Sequence, residues 1–133
     1  QLGVSVSTAV AGSQMKVVIY GSDANGWPSA KLYETAALSG AATGYVSESL
    51  SFTFASGTQY WLGVRHSSTA TLRTIAINSA WNLGLGSSGN TGTQCTVIRR
   101  TITFANAAPD PWGFVNTGLT SNVTPPSIRF RAV

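Results

Sequence analysis

Apolar and polar residues alternate one by one over short stretches of this chain, and almost nowhere do apolar residues recur at helical spacing. Leu2, Val4 and Val6 alternate with Gly3, Ser5 and Ser7. Leu50, Phe52 and Phe54 alternate with Ser49, Ser51 and Thr53, and Tyr60, Leu62 and Val64 alternate with Trp61, Gly63 and Arg65. A period of two marks a strand with one face buried. Strands are expected near residues 2–8, 14–21, 30–35, 45–54, 59–66, 71–77, 95–104 and 127–132. The turn Ala55-Ser56-Gly57-Thr58 joins two of these stretches and predicts a hairpin. Ile128 and Phe130 alternate with Arg129 and Arg131, so the two arginines should face the same way, outward or into a subunit contact. The pattern predicts an all-β fold: a jelly-roll-like antiparallel β-sandwich of about eight strands, in one domain over residues 1–133.

Two stretches break the alternation. Residues 78–94 are rich in Gly, Ser and Asn; residues 105–126 carry Pro109, Pro111, Pro125 and Pro126. Each holds a tryptophan, Trp81 or Trp112. Loops of this length in a compact domain commonly carry function, and loops cluster at the two ends of a sandwich.

Composition narrows the function. Only 9% of residues are charged, against about 25% in an ordinary globular domain. Apolar residues make up 43%, which excludes disorder. The net charge of +4 comes from scattered bases, not from the dense basic stripe of a nucleic-acid binder. A weak attraction to acidic surface polysaccharide suits it better. A lone Cys95 excludes an internal disulfide and a cysteine zinc site, and reads as a small core residue. No apolar run is long enough to span a membrane, and no signal peptide is visible. The chain begins at Gln1 and enters the alternating pattern at once, which suggests a fragment of a longer polypeptide.

The residues that could carry catalysis are few. His66 is the single histidine, and no G-x-S-x-G nucleophile elbow accompanies it. The acids are Asp23, Glu34, Glu48 and Asp110, and no glycosidase-like pair can be read from their positions. Asp23-Ala24-Asn25-Gly26 opens like a calcium loop, but Trp27, Pro28 and Lys31 do not fit the ligand positions, so it reads as a turn. No enzyme activity, metal or cofactor is expected. Aromatic side chains are the better lead, because flat sugar faces pack on Trp and Tyr while Asn and Asp bind hydroxyls. Trp27 and Trp61 are candidates, and Trp61 falls on the opposite face of its strand from Tyr60 and Leu62. The candidate glycan-binding set on the two long loops is Trp81, Asn82, Asn90, Asp110, Trp112 and Asn116.

Three motifs carry a resemblance. Ile19-Tyr20-Gly21-Ser22-Asp23-Ala24-Asn25-Gly26-Trp27-Pro28-Ser29-Ala30-Lys31-Leu32 is an Ile-Tyr strand, a polar turn, Gly-x-Pro, a small residue and Leu. Leu50 to Val64 is an apolar strand, a small-Gly turn and a Tyr-Trp-Leu strand, and Pro126 to Arg131 closes the chain with one more. Together they resemble the C-terminal receptor-binding head domains of phage tail fibres, head fibres and gene-transfer-agent-like spikes. The resemblance covers about half of the chain plus the last strand, and leaves residues 76–125 unmatched. It implies a jelly-roll-like domain of a virion, homo-oligomeric with a trimer favoured, that joins other fibre proteins and contacts a host cell-surface polysaccharide. The resemblance transfers no ligand residues; the scattered bases and the lack of a long apolar run already argue against nucleic acid and membrane insertion. The rival expectation is a structural virion module, a capsid decoration or fibre-joining domain without its own ligand; a polysaccharide depolymerase ranks last.

Overall fold

A computed structural model describes residues 1–74, 95–98, 102–113, 119–121 and 126–130. Its strands, in chain order, are β1 (Leu2–Thr8), β2 (Gln14–Ser22), β3 (Pro28–Glu34), β4 (Leu38–Ser39), β5 (Gly44–Glu48), β6 (Tyr60–His66), β7 (Thr71–Leu72), β8 (Cys95–Ile98), β9 (Leu119–Ser121) and β10 (Ile128–Phe130). The described residues contain no helix, and so none long and apolar enough to cross a membrane.

Two antiparallel sheets face each other. In the first, β1 is central: β5 runs along one side, and β10 and β7 lie end to end along the other. In the second, β2 is central, with β6 on one side and β3 and β4 end to end on the other. Leu2, Val4 and Val6 of β1 meet Met15, Val17 and Ile19 of β2, with Leu38 beside them, and these form the main core. Full burial of an aliphatic side chain of this size is worth about 1.5–3 kcal/mol. A separate two-stranded ladder pairs β8 with β9. These sheets make an antiparallel β-sandwich; a jelly-roll path would have to close through residues 75–94 and 114–118, which lie outside the described set.

Each of the eight expected strands overlaps an observed one, although residues 102–104 of the expected 95–104 strand are not strand, and the short β4 and β9 are additional. The expected hairpin between 45–54 and 59–66 does not form. The strand ends at Glu48, β5 pairs with β1 in the first sheet, and β6 pairs with β2 in the second. Residues 49–59 therefore cross from sheet to sheet, a gap of about 10 Å. Leu50 and Phe52 still alternate because they pack on the main core from the end of the sandwich, outside any ladder. The turn at 55–58 is present, with the Thr58 amide donating to the Ala55 carbonyl. Part of the expected 71–77 and 95–104 strands and the end of 127–132 lie outside the described residues, as does the Cys95 side chain.

Where β3 gives way to β4, the β2 ladder would be left open at Val17. Thr35 closes it: its amide donates to the Val17 carbonyl at 2.9 Å, and the Val17 amide donates to Thr35 Oγ1 at 3.0 Å. Thr35 is buried, and this exchange satisfies its hydroxyl as well as the strand.

Gly3 marks the tightest approach in the first sheet. A Cβ at this position would collide with the Val46 carbonyl oxygen and stand 2.7 Å from Ser47 Cβ. Both neighbours belong to the paired strand and cannot give way without shifting the ladder. Gly3→Ala is expected to lower the unfolding free energy by about 1–3 kcal/mol, measured by urea denaturation; an unchanged midpoint would show that β1 and β5 are less closely apposed.

Candidate functional site

The run Val17-Val18-Ile19-Tyr20 makes β2 apolar on both faces. Val17 and Ile19 point into the main core, so Val18 and Tyr20 point outward, where a sandwich normally meets water. Both are nonetheless buried. Residues 102–113 cover them as a strap laid over the outer face of the second sheet, forming a second apolar cluster of Val18, Tyr20 and Ala108 with Trp61 and Trp112.

The register explains what holds the strap. On the outer face, Arg65 of β6 lies opposite Lys16 of β2; Gly63 and Glu34 flank Val18; Trp61 and Lys31 flank Tyr20. Arg65 and Glu34 reach toward each other across β2, Nη1 to Oε1 at 2.6 Å, with side chains 8% and 13% exposed. Nη2 donates to three strap carbonyls, those of Thr103, Phe104 and Asn106, at 3.1, 3.1 and 2.6 Å. A planar fork of fixed donors suits this division of labour, and an ammonium could not reproduce it. Lys31 Nζ donates to Glu34 at 3.2 Å and to the Ala108 carbonyl, and Lys16 lies 3.8 Å from the same carboxylate. The Ala108 amide also donates to Glu34. The Phe104 ring lies beside both Lys16 and Arg65, 5.8 and 5.7 Å from its centroid.

Burial alone would raise the Glu34 pKa. Hydrogen bonds from Lys31 and the Ala108 amide, with the charges of Lys31 and Arg65, outweigh it and hold the carboxyl below its usual value. Elsewhere, the Tyr33 hydroxyl donates to Glu48; that bond, with burial and the carboxylate charge, pushes the phenol up to about 12.

Further along, the Tyr20 hydroxyl donates to the Pro109 carbonyl at 3.0 Å, and the Trp112 amide donates to the Ser29 carbonyl. Asp110 Oδ1 accepts the Lys31 amide at 3.0 Å. The Trp112 ring meets Tyr20 edge-on, centroids 5.2 Å apart at 78°. Of the residues expected to bind glycan, Asp110 and Trp112 thus lie together on the strap, each with a partner in the second sheet. Trp81, Asn82, Asn90 and Asn116 lie outside the described residues. Trp61 falls on the outer face as alternation required, half-buried, with Nε1 donating to the Gly26 carbonyl at 3.0 Å. Sequence reasoning passed over Arg65 and Glu34; the signal was an arginine sharing the period of Trp61 beside an apolar run too long for a one-sided strand.

The other acids also serve the fold. Asp23 Oδ1 accepts the amides of Asn25 and Trp27 at 2.8 and 2.9 Å, and Gly26 completes that turn at φ 82°. Glu48 accepts the Ala36 amide at 2.7 Å besides the Tyr33 hydroxyl. His66 Nδ1 lies 2.8 Å from the Ser68 carbonyl, so it carries the proton and donates. No group of three or more metal-ligating side chains occurs among the described residues.

A second feature sits at the end of the sandwich. The Phe54 ring meets Phe52, Tyr60 and Phe130 edge-on, with centroids 4.8, 5.1 and 5.1 Å away. Phe54 and Phe130 are 40% and 48% exposed.

Comparison with family models, curated proteins and solved structures returns no match to this chain.

Because the Trp112 ring packs on Tyr20, Trp112→Ala is expected to cost about 3 kcal/mol of stability, the low end for a core aromatic. Thermal melting checks this. An unchanged melting temperature would show that the ring adds little to the second cluster.

Proposed function

We propose that this chain is a non-catalytic adhesion domain, the head of a phage-type fibre or spike, that attaches a virion to a host cell-surface polysaccharide. The observation that carries this reading is the use of its carboxylates. All four acids of the chain, Asp23, Glu34, Glu48 and Asp110, accept hydrogen bonds from backbone amides of the fold, and Glu34 and Glu48 take side-chain donors as well. A hydrolase needs a carboxylate or a nucleophile with its base placed toward solvent and substrate. Here the acids serve turns, a strand junction and the strap. A sandwich stiffened in this way is a suitable scaffold for contact loops, and the glycan-binding assignment to Trp81, Asn82, Asn90, Asp110, Trp112 and Asn116 belongs to this proposal. So does assembly as a homo-oligomer, with a trimer favoured, beside other fibre proteins.

A structural virion module is the second reading. The exposed Phe54 and Phe130 favour it, since aromatic surface of this kind suits a contact with another protein.

A glycan array probed with the purified chain, with reducing-sugar release measured in parallel, tests the proposal. Binding to host polysaccharide without release is the expected result. Release that an amide replacement at one of the four acids abolishes would make the chain an enzyme. Absence of any glycan binding would favour the structural module.

A further inference from the structure

One end of the strap is fastened at a crowded electrostatic centre, while Tyr20, Ser29 and the Lys31 amide hold the other through Pro109, Trp112 and Asp110; the main core does without either. Glu34 is faced by Lys16 from β2, by Lys31 from its own strand, by Arg65 from β6 and by the Ala108 amide from the strap. The strap's own acid, Asp110, accepts the Lys31 amide. Three cations therefore share one carboxylate, with Arg65 the most buried of the four. The apolar side chains under the strap, Val18 and Tyr20 among them, form a cluster separate from that of Leu2, Val4, Val6, Met15, Val17, Ile19 and Leu38.

We propose that residues 102–113 are an acid-released latch: protonation of Glu34 lifts the strap from the second sheet and uncovers Val18, Tyr20 and Trp61 while the sandwich stays folded. With the carboxyl neutral, Lys16, Lys31 and Arg65 crowd together without their shared counter-charge. Lifting the cover gives water to Arg65, the most buried of the three, and opens only the second cluster. Regions joined to a fold by a few polar contacts are the ones that open locally before the whole unfolds. The sign follows from linkage. Glu34 is held below its usual value, so its stabilisation is complete above the unfolded value of about 4.3 and is lost as pH falls through the folded value. The latch therefore stays closed at neutral pH and opens below the ordinary glutamate range.

Hydrogen exchange on the whole chain, expressed as protection factors to remove the intrinsic pH dependence, tests this directly. On acidification from about pH 7 to about pH 3, protection at the Ala108 and Trp112 amides should fall by a factor of a few while the β1–β5 ladder keeps its own. Glu34→Gln should lower strap protection already at neutral pH and flatten its response to acid; Asp110→Asn should keep the response. Simultaneous loss in strap and ladder would overturn the proposal. So would a Glu34→Gln variant with a fully protected strap at neutral pH, or an acid response that disappears in Asp110→Asn and persists in Glu34→Gln. A Glu34→Gln chain that fails to fold would also overturn it, because the strap would then be inseparable from the sandwich.

Discussion

A strand that is apolar on both faces must be covered on both faces, and β2 imposes that demand on everything around it. Its inner side chains are met by β1 across the sandwich. Its outer side chains cannot be left to water, since Val18 and Tyr20 together would present a contiguous apolar patch at the centre of a sheet. The strap answers this demand, and Arg65 is the residue through which it is fastened. One guanidinium joins β6 to β3 through Glu34 and joins both to the strap through three carbonyls. Two strands and the third layer thus meet at a single planar group.

Charge is scarce in this protein, and its placement shows what it is used for. A buried ion pair contributes little net stability when weighed against a well-packed apolar substitute, because both ions lose hydration; removing one partner, however, costs about 3–5 kcal/mol. The pair therefore acts more as a specifier than as a source of stability. It selects the one position of residues 102–113 at which carbonyls of Thr103, Phe104 and Asn106 reach Arg65 and the Ala108 amide reaches Glu34. The apolar contacts of Ala108 and Trp112 with Val18 and Tyr20 then supply the burial. The same division appears at Asp23 and Glu48, where a carboxylate fixes a local path and neighbouring apolar side chains fill space.

Much of the fold was legible in the sequence because a period of two is a local property. Leu2-Val4-Val6 and Tyr60-Trp61-Leu62-Gly63-Val64 gave their strands directly, with the outward turn of Trp61, although Leu62, expected on the buried face with Tyr60 and Val64, is exposed. The 45–54 stretch misled for a physical reason: Leu50 and Phe52 are spaced as a strand would space them, yet they fill the end of the core from a crossing segment. Alternation reports which side chains are buried and is silent on whether the backbone is paired. The strap was harder to read. Pro109 and Pro111 mark a segment that cannot join a ladder, which suggested a free loop, whereas its carbonyls and amides are tied to side chains more than thirty residues away in sequence. Only the uninterrupted Val17–Tyr20 run hinted that such a cover had to exist. Of the candidate glycan-binding residues, Asp110 and Trp112 are the two among the described residues, and their immediate surroundings are those of a packed layer.

The account rests on Arg65 and Glu34 acting as one unit, and a double-mutant cycle measures that directly. Unfolding free energies would be determined by denaturant titration for the parent chain, Arg65→Met, Glu34→Gln and the double variant. Groups that share a network show coupling of about 0.5–3 kcal/mol, and the account predicts a value in the upper half of that range. Additivity within about 0.5 kcal/mol, the behaviour of independent sites, would contradict it and would leave the strap held by apolar packing alone.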